Sequence, residues 1–250
     1  MTTSVTATQS GSAQHGLTEH SHGGDVPIQT RSERLRSTKL DDFAQISRRE
    51  EQWRYLDADR LNGLDSAEIG EYIGDIETKA PAGVETAWVG PEHPAFGAAG
   101  IPEDRTSAAA WQAAEQAYLV TIPSDSKPDC EVQVIIRSDS FEAAAMHTII
   151  DAKPHSNSVV ILDHKGDANF GENVEILVGD EAQLTVISIQ DWSAKSAHTS
   201  AQFAKLGRNS KLKHVVVSLG GKTLRVTPSA EFTAPGGEVE LLGLYFADQG

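Results

Sequence analysis

Four variants of one short phrase constrain this chain more than anything else in it. They are Gly171-Glu-Asn-Val-Glu-Ile176, Gly179-Asp-Glu-Ala-Gln-Leu184, Gly207-Arg-Asn-Ser-Lys-Leu212 and Gly236-Gly-Glu-Val-Glu-Leu241. Each opens on Gly, carries a small or apolar fourth residue and reaches Ile or Leu at the sixth. That order suits a turn with permissive backbone angles followed by entry into a strand. The last three glycines recur at intervals of 28 and 29 residues. A period of this length, filled with short β-branched runs, is the pattern of a coil that stacks on itself. Strand-like runs fall at Val132–Ile136, Ser158–Leu162, Val174–Val178, Leu184–Ile189, Lys213–Leu219, Thr223–Thr227 and Val239–Phe246. The expected fold class is mainly β: a parallel β-helix, or β-solenoid, with the phrase glycines at equivalent corners. Leu184, Leu212 and Leu241 should then stack in one internal column. In the cleanest alternation, Thr223 to Thr227, Leu224 and Val226 face in and Arg225 faces out.

The region before the repeats has a different texture. Residues 1–30 are rich in Thr, Ser, Gln, Gly and His with few apolar anchors, and read as a disordered tail, with His15, His20 and His22 as solvated polar residues. Residues 31–129 read as a small helical region. Ser47-Arg-Arg-Glu50 has the form of a capping box ahead of a helix holding Trp53 and Tyr55. A second helix is expected from Asp65-Ser66, with Ile69, Tyr72, Ile73 and Ile76 on one face, and a third from about Ser107 to Tyr118. Residues 130–250 form the expected β-helix. No polar or helical cap follows the apolar run Leu241–Phe246, so the solenoid is expected to be open at its C-terminal end and to self-associate there.

Charge and cysteine content narrow the function. The chain has 21 Lys and Arg against 36 Asp and Glu, a net charge of −15. It offers no evident basic face for a phosphate backbone, so nucleic acid is not an expected partner. Cys130 is the only cysteine. It excludes an internal disulfide and any multi-cysteine zinc or iron–sulfur motif, and it reads as a small residue at a strand edge. No apolar run approaches the ~18 residues of a membrane span. The amino terminus lacks a secretory pattern, so a cytoplasmic setting is expected.

Local motifs for chemistry are few. His93, His147, His155, His164, His198 and His214 lie outside the tail, and none falls in a short metal-binding spacing. His164 and His214 read as solenoid surface. In Ser188-Ile-Gln-Asp-Trp192 the tryptophan is expected to cover a coil corner. Leu219-Gly-Gly-Lys-Thr223 lacks the first glycine of a phosphate-binding loop, because position 216 is Val, and a turn between strands explains it. A β-helix carbohydrate-active enzyme, the alternative function, needs a carboxylate set on one strand face, and this chain offers isolated acids such as Asp163, Glu175 and Asp191. The 28-residue spacing excludes a hexapeptide-repeat acyltransferase.

Several longer runs resemble SufD-type iron–sulfur cluster assembly proteins of the SufB/SufD family. They are Asn173–Asp180, Leu184–Trp192, Leu212–Gly221 and Pro235–Asp248, together with Arg48-Arg-Glu-Glu-Gln-Trp-Arg-Tyr55 upstream. The resemblance covers about residues 40–250. It implies a right-handed parallel β-helix between helical regions, the second of them beyond Gly250. It also implies a non-catalytic scaffold subunit of the SUF system, acting with a SufB-like paralogue and a SufC-like ATPase. The iron–sulfur cluster would be assembled transiently by the complex, with no cofactor held tightly by this chain. The family's interface histidine and ATPase-docking helices correspond to positions beyond Gly250. No residue here is therefore assigned as a catalytic group, a metal ligand or a cofactor ligand.

Overall fold

A computed structural model describes residues 34–72 and 74–246. The expected tail with its three histidines, Ile73 and residues 247–250 lie outside the described residues. In chain order the elements are β1 (Gly70–Glu71), β2 (Asp75–Lys79), β3 (Glu85–Val89), α1 (Arg105–Ala113) and β4 (Ala117–Ile122). Then follow β5 (Val132–Ala152), β6 (Asn157–Val178), β7 (Gln183–Trp192), β8 (Ala197–Leu206), β9 (Lys211–Ser218), β10 (Thr223–Phe232) and β11 (Glu238–Tyr245).

Among β4 to β11 every pairing of one strand with another is parallel, and these pairs build two ladders. The front ladder stacks the first half of β5, the first half of β6, then β7, β9 and β11. The back ladder stacks β4, the second half of β5, the second half of β6, then β8 and β10. β5 and β6 are long because each passes from front to back without leaving the ladder, with a register shift between Ser140 and Ala143 in β5. Side chains alternate between the interior and one outer face. This is the expected β-solenoid.

The repeat is real, but its phase differs from the glycine phrases. Leu184 pairs in register with Leu212, whose next partner is Val239; Leu241 lies beside His214 and is exposed. The first phrase, Gly171–Ile176, lies inside a back-ladder strand rather than at a corner. The corner's left-handed position is held by His155 (φ 62°), Glu181 (φ 59°), Asn209 (φ 51°) and Gly236 (φ 82°). Hydrogen bonds climb that corner from His155 N to Asp180 O, Glu181 N to Arg208 O and Asn209 N to Pro235 O. Gly179 and Gly207 are needed for a different reason. A Cβ at Gly179 would come within 2.6 Å of Pro154 N, and one at Gly207 within 2.9 Å of Asp180 N. Stacked corners approach too closely there for any side chain.

The amino-terminal region is less helical than its sequence suggests. Ser47 caps no helix; only a 3-10 turn, Glu51–Trp53, follows it. The second expected helix is instead β1 and β2. β2 pairs antiparallel with Gln133–Arg137, the first front rung, and β3 pairs antiparallel with β4, the first back rung. An open rung presents a row of unpaired amides and carbonyls, and pairing with it overrides the local helical period. The third helix stops at Ala113, and Tyr118 belongs to β4, where its ring meets Trp88 at 5.2 Å. Asp104 starts α1 by accepting the Ser107 amide at 2.9 Å, while Ser107 Oγ reciprocates to the Asp104 amide. Ala109 and Ala110 bury against Ala145 and Ala197 of the back ladder, and these small residues let the helix lie close to the sheet.

α1 and the segments around it therefore cover the outer back face, where Asn173, Glu175, Thr199 and Phe203 are buried. Among the described residues no such cover lies over the outer front face. Ile161, Ile187, Ile189, Val215 and Val217 stay half-buried there.

Candidate functional site

The two ladders enclose an interior with two unlike halves. Beside the Glu181 corner it is apolar: Val132, Val160, Val186, Leu184, Ile150, Ile176, Val178 and Leu206 are at most 2% exposed. Towards the opposite corner, at Gly166, Trp192 and Gly220, it becomes a polar seam. The register explains how. Going up the front ladder, Ile136 is followed by His164 and Gln190, and Val134 by Leu162 and Ser188. On the back ladder, Phe170 is followed by His198, Glu172 by Ser200 and Val174 by Gln202.

Glu172 lies at the centre of the seam and is fully buried. Its carboxylate lies 3.2 Å from His164 Nε2 and accepts from Ser200 Oγ at 3.1 Å and Thr148 Oγ1 at 3.3 Å. His164 Nδ1 is 3.0 Å from the Ile189 carbonyl, a contact that favours a proton on Nδ1. Burial opposes the charged forms of both groups, but their mutual attraction wins. His164 is held above its ordinary value and Glu172 below its own. Both shifts favour the imidazolium–carboxylate form of the pair. Gln190 and Gln202 both donate to Ser188 Oγ, at 2.8 and 3.2 Å, and Gln202 also donates to Ser200 Oγ at 3.0 Å.

His198 is the unpaired member. Its ring stacks on Phe170 at 5.4 Å and 12°, and lies 5.4 Å from His164 and 5.7 Å from Trp192. Neither of its nitrogens has a well-aligned hydrogen-bond partner among the described residues. Burial, together with the neighbouring His164 charge, pushes its pKa down to about 3. His214, one coil further on and also inward, is lowered to about 4 by burial. Both are neutral at pH 7.

A second polar group ties the covering segment to the outer back face. Glu175 accepts the Gly97 amide at 2.6 Å and the Ala99 amide at 2.7 Å, and pairs with His147 Nε2 at 2.9 Å. The His147 ring is held between Phe96 and Trp111, each 4.4 Å away. Nearby, Arg225 meets Asp104 at 2.7 Å and lies 4.1 Å over the Trp53 ring. Burial alone would raise the Asp104 pKa, but Arg225, the Ser107 amide and the Thr106 hydroxyl hold it below the usual carboxylate range. Arg225 does face out of the interior, as the alternation predicts, but into a covered interface rather than water.

Several sequence expectations change place. His164 and His214, expected on the surface, are inside the solenoid, because their even positions share the parity of Leu162 and Leu212. Trp192 stands at a coil corner, with its ring turned into the seam against His164 and His198. Leu219–Thr223 is the turn between β9 and β10, as expected. Cys130 is exposed, just before β5. Asp163 and Asp191 belong to the front ladder, whereas Glu175 is buried on the outer back face, so these three acids make no common carboxylate set. Glu172 was hidden in the glycine phrase; a charged residue at an inward position of a strand was the available signal. Among the described residues, no group of three or more His, Cys, Asp and Glu is placed to hold a metal ion. None of their helices is long and apolar enough to cross a membrane. The seam can store a proton and a buried charge pair, but with its groups sealed from solvent it offers a substrate no entrance.

Comparisons with known proteins converge on one family. Residues 134–250 match the family model described as SUF system FeS cluster assembly, SufBD core domain. The chain is 36% identical over 216 residues to an iron-sulfur cluster assembly SufBD family protein of Mycobacterium leprae, covering 86% of this chain and 55% of that protein. It is 35% identical over 222 residues to SufBD family proteins of Mycobacterium tuberculosis and Mycobacterium bovis, covering 88% of this chain and 56% of each. The chain thus spans a little over half the length of these relatives. No solved structure matches it.

Proposed function

From the premise that this chain is a SufB/SufD-type protein, with the SufBD core at residues 134–250, we propose that it works in SUF iron–sulfur cluster assembly as a non-catalytic scaffold subunit. Its partners in this reading are a SufB-like paralogue and a SufC-like ATPase. The iron–sulfur cluster is cargo built on the complex, and this chain keeps no tightly bound cofactor of its own.

The observation that carries the reading is the family match over the solenoid. The geometry agrees with it: the polar groups with displaced proton affinities lie inside a sealed interior, not in an open cleft where a substrate could meet an acid and a base. A stack of parallel rungs is a rigid, extended body, suited to presenting surfaces to other subunits.

The test is co-expression of the protein with the SufB-like and SufC-like proteins of the same source, followed by size-exclusion chromatography and iron analysis. Co-elution in fixed stoichiometry, with iron appearing only in the complex, is the expected result. Elution of this protein alone, or one iron per chain retained without partners, would overturn the proposal.

A further inference from the structure

We propose that the seam is an acid-operated latch: a proton taken up by His198 forces the two ladders apart around Glu172 and exposes the solenoid interior. Glu172 is the one carboxylate facing the seam among the described residues, and His164 already engages it at 3.2 Å. A proton on His198 places a second cation 5.4 Å, ring to ring, from the His164 imidazolium. In a fully buried site the second charge meets no second counter-ion.

Glu172 and the Phe170 carbonyl favour a charge on His198, but burial and the His164 charge outweigh them. On the same ladder His198 has Phe170 below and Leu224 above. Across the interior it meets Trp192, whose indole nitrogen is itself without a hydrogen-bond partner among the described residues. Of the charged residues beside its neighbours His164 and Leu224, Asp163 pairs with Lys165 at 2.7 Å and Arg225 with Asp104. Gln190 and Gln202 are occupied with Ser188 and Ser200. The protonated ring can be hydrated only if the ladders part.

The sign follows from linkage. His198 is depressed from 6.5 to about 3. The opened form therefore binds more protons between those values, and the closed form loses stability as pH falls below 6.5. One proton shifts the opening equilibrium about tenfold per pH unit well below 6.5, and about 50-fold between pH 6.5, where the open form is already half protonated, and pH 4.5. His214 shifts in the same direction, so the informative quantity is the difference between wild type and a His198 variant.

The experiment is hydrogen exchange, corrected for intrinsic rates, on the full chain at pH 6.5 and 4.5, following amides of β6, β7 and β8. On going from pH 6.5 to 4.5, opening of wild type should rise about 50-fold more than that of His198→Phe, since Phe keeps the stack on Phe170 and cannot take a proton. Equal pH dependence in the two proteins would overturn the latch. Should the Phe variant not fold, His198→Gln replaces it, and the wild-type His198 ring resonance gives a second reading. Titration of that ring near pH 6.5 in the closed protein would also overturn the proposal.

Discussion

The two halves of the solenoid interior are made by the same strands and solve different problems. Beside the Glu181 corner, branched aliphatic side chains stack rung on rung: Val132, Val160 and Val186 in front, Ile150 and Ile176 behind. Each added rung there buries apolar surface, and close variants are interchangeable. Beside the Trp192 corner, the columns change character at every rung, from Ile136 to His164 to Gln190 and from Phe170 to His198. There each polar group depends on particular neighbours, and a lost partner leaves another group buried and unpaired. The apolar half supplies cohesion in proportion to its area. The polar half adds specificity, because only one register brings Glu172 opposite His164.

The largest break in this contrast should come from Glu172→Ala. It leaves the His164 ring buried without its partner and should cost about 3–5 kcal/mol at pH 7. Ile176→Val, in the apolar half, should cost only about 0.5–1.5 kcal/mol. Urea unfolding of both variants is the measurement, and comparable costs would show that the seam is held by packing alone.

A middle-sized effect tests where the polar dependence ends. Arg225 lies outside the interior, but its loss leaves the buried Asp104 carboxylate without its cation and uncovers Trp53. Arg225→Ala should therefore cost about 2–3 kcal/mol. Leu224, which faces the interior but is only partly buried, should cost about 1–2 kcal/mol as Leu224→Ala. The opposite ranking would place the weight on the interior and not on the covered outer face.

The smallest effect belongs to the apolar corner. Asn209 already holds a left-handed conformation that Asn tolerates, so Asn209→Gly should change stability by less than about 0.5 kcal/mol. A loss above about 1 kcal/mol in thermal or urea unfolding would mean that the Asn side chain, not its backbone angle, holds the corner.

What could be read in the sequence follows the same division. Strands with aliphatic residues on one face, such as Leu184–Ile189, announced themselves by alternation. Ala197–Leu206 did not, although it is a full back-ladder strand. Its inward residues His198, Ser200 and Gln202 belong to the seam, and its outward residues lie under the covering segment, so neither face looks apolar. The glycine phrases located the repeat length but misplaced its phase. Glycines at 179 and 207 answer a crowding between coils, whereas the left-handed turn residues, among them His155 and Glu181, are of types that local sequence does not mark.

The sequence by itself determined the parallel solenoid, its period of roughly 28 residues and the likeness to SufB/SufD-type proteins, because those depend on residue order within one coil. Only the tertiary structure decided that Gly70–Glu71 and Asp75–Lys79 pair as strands and that His164, Glu172 and His198 share one buried seam. Those outcomes depend on neighbours a full coil or more away. Their cause is the stacking register, which converts a separation of 26 to 28 residues into direct contact.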